Sequence, residues 1–288
     1  MTVRIMSVWT LDDVPWDAFD PARVDPELLR IIKAAALTER NSAQYARYLR
    51  NVFHDDPAFG AQVDQWAEEE ARHGDALGRW AELAEPGFDF RATFQRFVEG
   101  YVIPTDVEQS VRGSRTGEMV ARCIVETGTS SFYSALRDAT EEPVLKDICQ
   151  RIAGDEFRHY KLFYTTLQHT LAAENVSRAR RVLVAVSRMR ESEDDELAFA
   201  YHCANTPDRP YDRATSARAY AARAFSRYRL SHVERGGAMA LKAAGLDPRG
   251  RLGRLATGAL WRYLRFRLWR MADEVRAANL PQGCAAQA

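Results

Sequence analysis

Cysteine is scarce. The 288-residue chain holds four, Cys123, Cys149, Cys203 and Cys284, and none forms a Cys-x-x-Cys pair. That excludes a disulfide framework and suits a reducing, cytoplasmic setting. Net charge is also lacking: 40 basic residues balance 40 acidic ones, so nothing draws the whole chain toward nucleic acid. No hydrophobic run approaches the roughly 20 residues of a membrane span. The opening MTVRIMSVWTLDD has no signal-like apolar stretch, and the closing CAAQA is one residue too long for a prenylation box. Apolar–polar alternation of the strand type is nearly absent, which excludes a sheet-based fold.

What remains is helix. Segments rich in Ala, Leu, Glu, Arg and Gln are separated by short breaks of Pro, Gly and Asp. They predict helices over about 26–53, 57–84, 114–140 and 143–171, and several more between about 174 and 277. HDDPAFG and TEEPVL each offer an acidic cap followed by a first-turn proline. EPGFDF and NTPDRPYD read as loops, and the acidic run ESEDDE as a solvated helix start. With 46% hydrophobic residues, a chain of this length can bury roughly 75% of its unfolded surface.

An internal repeat organises the first half. With Glu39 placed over Glu126, Leu49-Arg50 falls on Leu136-Arg137, and Pro57 lands one residue from Pro143. Glu70-Ala-Arg-His73 then meets Glu156-Phe-Arg-His159. The Glu-to-Glu spacings are 31 and 30 residues. Two helix pairs of one layout predict an all-α, antiparallel four-helix bundle with pseudo-twofold symmetry over residues 20–175. The helices of 176–288 are expected to pack on it as an extension within one structural unit.

Helical register singles out the polar residues that face inward. In the second helix Phe59, Val63, Trp66, Glu70, His73, Leu77 and Trp80 step alternately by 4 and 3, the period of a bundle core. Leu145, Cys149, Ile152, Glu156, His159 and Phe163 do the same in the fourth. Glu39 lies on the equivalent stripe of the first helix, between Ala35 and Ser42. Glu126 lies between Cys123 and Ser130 of the third, a stripe that continues to Tyr133. Glu68 and Glu69 fall off the stripe, to support the site from outside or face water.

Four glutamates and two histidines thus occupy positions that ought to be apolar. Isolated buried carboxylates are costly and seek partners. Two divalent cations resolve the conflict by matching four negative charges. The i, i+3 spacing of Glu and His sets both on one helix face. One Glu from each of two helices plus Glu-x-x-His from two others is the ligand layout of di-iron and di-manganese carboxylate bundles. Hard oxygen donors with imidazole suit iron, with manganese able to take either position, better than four-coordinate zinc. A single Glu-x-x-His is ordinarily a surface pair; two in matched core register are not.

These residues resemble the ferritin-like di-iron superfamily, and within it the soluble acyl-carrier-protein desaturases. WAEEEARHGDAL resembles that family's second-helix motif and LKDICQRIAGDEFRH its fourth, over about residues 30–170. The resemblance implies terminal ligands Glu39 and Glu126, bridging ligands Glu70 and Glu156, and one nitrogen each from His73 and His159. It implies Asp155 as hydrogen-bond acceptor for a ligand histidine, and Thr129 at the oxygen-binding face. Thr129 could equally bond its own helix backbone, and Tyr133 could be a redox tyrosine or a packing aromatic. The family further implies an external, ferredoxin-like electron donor, an acyl carrier protein and a homodimer. The Glu39–Glu70 spacing is shorter than the family leads one to expect, and the C-terminal third finds no counterpart.

That third is basic: residues 212–270 hold thirteen Arg and one Lys against Asp212, Glu234 and Asp247. Trp261, Leu264, Leu268, Met271 and Val275 form an apolar stripe there, flanked by Arg262, Arg265 and Arg270. It suits a helix packed on the bundle, a docking face for an acidic carrier, or a membrane-surface contact. The expected activity is O2-dependent desaturation or hydroxylation of an apolar, acyl-type substrate. The alternatives are a ferroxidase or iron-handling protein, a peroxide-reducing relative of rubrerythrin without its rubredoxin-like cysteines, and a bundle with structural metals.

Overall fold

The computed structural model describes residues 9–191 and 195–278. Three short 3-10 turns between Leu11 and Arg23 lead into α1 (Pro26–Arg40), α2 (Ser42–Val52) and α3 (Pro57–Ala84). α4 (Phe90–Gly100) precedes α5 (Arg115–Ala139) and α6 (Pro143–Glu174). The chain ends in α7 (Arg178–Arg190), α8 (Asp195–Asn205), α9 (Arg213–Phe225), α10 (Leu230–Ala243) and α11 (Arg251–Ala278).

Side-chain caps set the starts of the bundle helices. Asp25, Asp56 and Glu142 each accept backbone N–H bonds from the first turn, with proline following at once. Glu142 is fully buried yet satisfied: it takes the N–H groups of Val144 and Leu145, that of Asp20, and the indole N–H of Trp80 at 2.7 Å.

Two features differ from the helices predicted. The expected helix over 26–53 is broken at Asn41, two residues after Glu39. Tertiary bonds override the register there. Asn41 donates to Glu196 and accepts from Gln44, while the Ser42 hydroxyl donates to the Ala67 carbonyl of α3 at 2.8 Å. α4 stands where no helix was predicted, started by Asp89, whose carboxylate accepts from Ala92 N–H.

α1 packs on α3, α5 on α6, and α3 on α6. Gly74 sets the α1–α3 approach, since a Cβ there would lie 2.6 Å from the Arg40 nitrogen. Every stripe residue named above on the four bundle helices is buried. The stripes fill two apolar clusters, one around Leu77, Trp80 and Ile148, the other around Val63, Trp66 and Phe163. The acidic layer lies between them. α8 and α9 pack on α1, α7 and α10 on α5, and α11 on α9 and α10.

The acidic run does not end in water: Glu196 is buried and accepts from Tyr45 Oη at 2.5 Å. Ser192, Glu193 and Asp194 of that run lie outside the described residues. On α11 Trp261, Leu264 and Leu268 are half-buried and Arg262, Arg265 and Arg270 exposed; the side chains of Met271 and Val275 lie outside those described. Among the described residues no helix is long and apolar enough to cross a membrane.

Candidate metal centre

The structure brings all six inward-facing residues together. Glu39, Glu70, His73 and Glu156 each offer an atom within 4.8 Å of the others, as do Glu70, Glu126, Glu156 and His159. Glu70 and Glu156 belong to both groups, while Glu39 and His73 belong to one and Glu126 and His159 to the other. His73 Nδ1 stands 3.3 Å from both Glu70 and Glu156 and 3.5 Å from Glu39. His159 Nδ1 stands 3.2 Å from Glu70 and 3.7 Å from Glu156.

The opposite ring nitrogens point outward to a crossed pair of carboxylates. His73 of α3 meets Asp155 of α6 at 3.0 Å, and His159 of α6 meets Glu69 of α3 at 3.0 Å. Burial pushes the Asp155 carboxyl up, but hydrogen bonds and charge from His73 and Arg158 hold it at about 2. Glu69 is lowered too, against its burial, by His159 and Arg158. Both are therefore anions that only accept. Each histidine keeps its proton on Nε2 and presents Nδ1 to the cluster.

Arg158 ties the two outer carboxylates together. It donates through Nη2 to Glu69 at 3.0 Å and through Nη1 to Asp155. Trp9 adds a third support, donating from Nε1 to Asp155 at 2.7 Å and stacking on His73 with ring centroids 5.9 Å apart. Arg72, the counterpart of Arg158 in the repeat, lies over the Trp9 ring at 5.1 Å.

Sequence reasoning singled out Asp155, left Glu69 as supporting or solvated, and missed Trp9 and Arg158. Glu68 is exposed and Glu69 buried. The repeat carried the signal, because Glu69 and Asp155 each precede the shared glutamate and Arg72 and Arg158 each precede the histidine. Trp9 left no trace, lying outside any helical period.

Thr129 bonds its own helix backbone, at the Val125 and Glu126 carbonyls, and reaches a cluster carboxylate, Glu156, besides. Tyr133 packs on Phe132 and donates to Glu39 Oε1 at 2.6 Å. Burial, then the Glu39 charge, pushes its phenol well up.

The donors fit metal ions on their own chemistry. His73 Nδ1, His159 Nδ1, both oxygens of Glu126 and Glu156 Oε1 are buried without a hydrogen-bond partner. Orphaned buried atoms of this kind call for a bound ion or a proton. Burial pushes Glu39 and Glu126 well above the usual carboxylate range. The surrounding carboxylates hold both histidines well above theirs, against burial. In metal-free protein, protons thus occupy the place that cations can take.

A family model described as fatty acid desaturase matches residues 22–193. The chain belongs to the fatty acid desaturase family. The desaturase match runs from the 3-10 turns before α1 beyond α7, includes every cluster residue with Thr129 and Asp155, and stops short of α8 to α11. This is the soluble acyl-carrier-protein branch of the ferritin-like superfamily, and the all-helical architecture agrees with it. No curated protein matches the chain.

The outer carboxylates of this desaturase-family site give a direct prediction. Asp155→Asn should weaken one metal position and Glu69→Gln the other, each by about 10–100-fold. Arg158→Ala should weaken both. Competition against a chelator, with metal content counted per chain, checks the pattern.

Proposed function

We propose that this protein is a di-iron oxidoreductase that uses O2 to oxidise an unactivated C–H bond of an apolar, acyl-type substrate, by desaturation or hydroxylation. A cavity beside the cluster carries the reading. It has a volume of about 280 Å³, and its wall includes Glu39, Glu70 and Glu126 together with Phe132, Ala224 and Phe225. An apolar space bordering the donors themselves suits an organic substrate; iron storage has no need of one.

Glu39 and His73 would hold one ion, Glu126 and His159 the other, and Glu70 and Glu156 would be shared. Iron fits these donors, and manganese satisfies the same oxygen and imidazole set. When bound, the metal pair supplies O2 activation for a two-electron oxidation. Desaturation removes two hydrogen atoms from the substrate and, with two electrons and two protons from outside, turns O2 into two waters. Hydroxylation leaves one oxygen atom in the product and the other as water. The electrons require an external one-electron carrier of ferredoxin type, and a thioester substrate would arrive on an acyl carrier protein.

The chain's own residues position and exclude. Phe132, Ala224 and Phe225 keep water from the reacting carbon. Thr129, in the cavity wall, holds a hydroxyl proton against Glu156, and Tyr133 holds one against Glu39. The His73–Asp155 and His159–Glu69 bonds fix both rings.

The test is product analysis with iron-loaded protein, a reduced ferredoxin and saturated acyl substrates. A product lighter by two hydrogens or heavier by one oxygen is expected; O2 consumed with iron oxidised and no altered substrate would contradict the reading. Gly128 offers a control, since it lines the cavity and a Cβ there meets nothing within 4 Å. Gly128→Phe should fill the space, leave metal content unchanged and lower product formation by at least ~10-fold, about 1.4 kcal/mol of transition-state binding. Mass spectrometry beside metal analysis reads both.

A further inference from the structure

One group in the cavity wall is out of keeping with a purely apolar substrate. Arg122 is 8% exposed and lines the same cavity as Glu126. Among the described residues, no carboxylate lies within ion-pair distance of it and no group accepts a hydrogen bond from it. Its Nε is buried without a partner. Only aromatic faces support it: the guanidinium lies 5.2 Å from the Tyr45 ring centre and 5.8 Å from that of Trp66. Glu196, an acid of the same wall, is already engaged, accepting from Tyr45 and Asn41. A buried guanidinium without an anion is expensive, and its fork of donors matches a carboxylate.

We infer that Arg122 is the anchor for a carboxylate on the substrate, so that the cavity takes a free apolar acid rather than a carrier-bound thioester. This rests on the substrate-oxidation reading above and narrows it. Position along α5 supports it. Arg122 lies one turn before Glu126, and Phe132 and Tyr133 lie about two turns after it. A chain held at Arg122 by its carboxylate therefore runs past the metal-ligating layer and ends among aromatic rings. Arg188 also lines the cavity but pairs with Glu191 at 3.9 Å, so a monoanion matches the one wall guanidinium that has no carboxylate partner among the described residues. A phosphate dianion would bring excess negative charge beside Glu39, Glu70 and Glu126, which line the same space.

The test is calorimetric binding to iron-loaded protein under nitrogen, which separates recognition from turnover. The probes are octanoate, decanoate and dodecanoate, each paired with the alcohol of equal chain length. At least one acid should bind ~10-fold or more tighter than its alcohol. Arg122→Met should abolish that preference while alcohol binding persists, and Arg122→Lys should retain part of it. The melting temperature of metal-free R122M should equal or exceed that of the parent, because no protein anion loses its partner. Acids binding no better than alcohols, or an acid preference that survives in R122M, overturns the inference. Conversion of carrier-bound thioester but not of free acid would also overturn it and leave the oxidation reading intact. Acid binding through Arg122 without any oxidised product would overturn the oxidation reading instead.

Discussion

Replacing Glu70 with alanine should leave a folded helical protein that no longer holds two metal ions. Glu70 is the carboxylate on which both halves of the cluster converge, 3.3 Å from His73 Nδ1 and 3.2 Å from His159 Nδ1. Burial would push it up, yet the charge and hydrogen bond of His159, with His73 and Glu39, hold it well below the usual range. It is thus an anion in the fold whether or not metal is present. Losing a hydrogen-bond partner behind a ligand already costs about 10–100-fold in metal affinity. Losing a ligand shared by two positions should cost more at each.

Glu70→Gln, which keeps the shape and removes the charge, should show the same loss with less disturbance to packing. Glu68→Ala, two residues away and exposed, should change neither metal content nor oxygen consumption. Metal analysis with far-ultraviolet circular dichroism on all three variants checks the pattern. Two ions per chain retained by both Glu70 variants would remove Glu70 from the site.

Metal-free and metal-loaded protein should respond to pH with opposite sign. In the metal-free fold Glu39 and Glu126 are raised well above their usual value of 4.5, first by burial and then by neighbouring carboxylates. His73 and His159 are raised well above 6.5; burial opposes this and the surrounding carboxylates outweigh it. A group raised in the fold leaves the folded chain more protonated than the unfolded one. Stability then falls as pH rises, by about 1.4 kcal/mol per pH unit for each excess proton.

These four contributions are complete below 4.5 for the carboxyls and 6.5 for the histidines. They are lost as pH climbs through the folded values. Glu70, Glu156 and Asp155 are shifted the other way, so they act only at acid pH and leave the slope above about pH 5 untouched. Metal binding needs the deprotonated ligands, so affinity, and the stabilisation that follows it, rises with pH. The gap in melting temperature between metal-loaded and chelator-treated protein should widen steadily from about pH 5 to pH 8. Scanning calorimetry at fixed metal concentration measures it; parallel pH curves would contradict the protonation scheme.

The six cluster residues were legible because a polar side chain on an apolar stripe breaks a period that runs for several turns. The copy at Glu156 and His159 made the break at Glu70 and His73 meaningful. Glu69 was not placed, because its burial depends on His159 and Arg158 from the opposite helix, a contact no single-helix register contains. Trp9 escaped for a related reason: its role comes from packing on His73 and Asp155 across more than sixty residues of chain. The break at Asn41 is likewise tertiary, set by Glu196 and Ala67. Arg122 sits off the core stripe on a helix where a solvated arginine is ordinary. Only its place beside Tyr45 and Trp66, in the wall of a cavity, reveals it as buried.

Anaerobic titration of Fe(II) into metal-free protein, followed by exposure to O2, tests the central claim most directly. Uptake of two irons per chain is expected, followed by oxidation of both and an oxidised-iron absorption, all absent in the Glu70 variants. One iron or none per chain, or two irons that O2 leaves reduced, would contradict it.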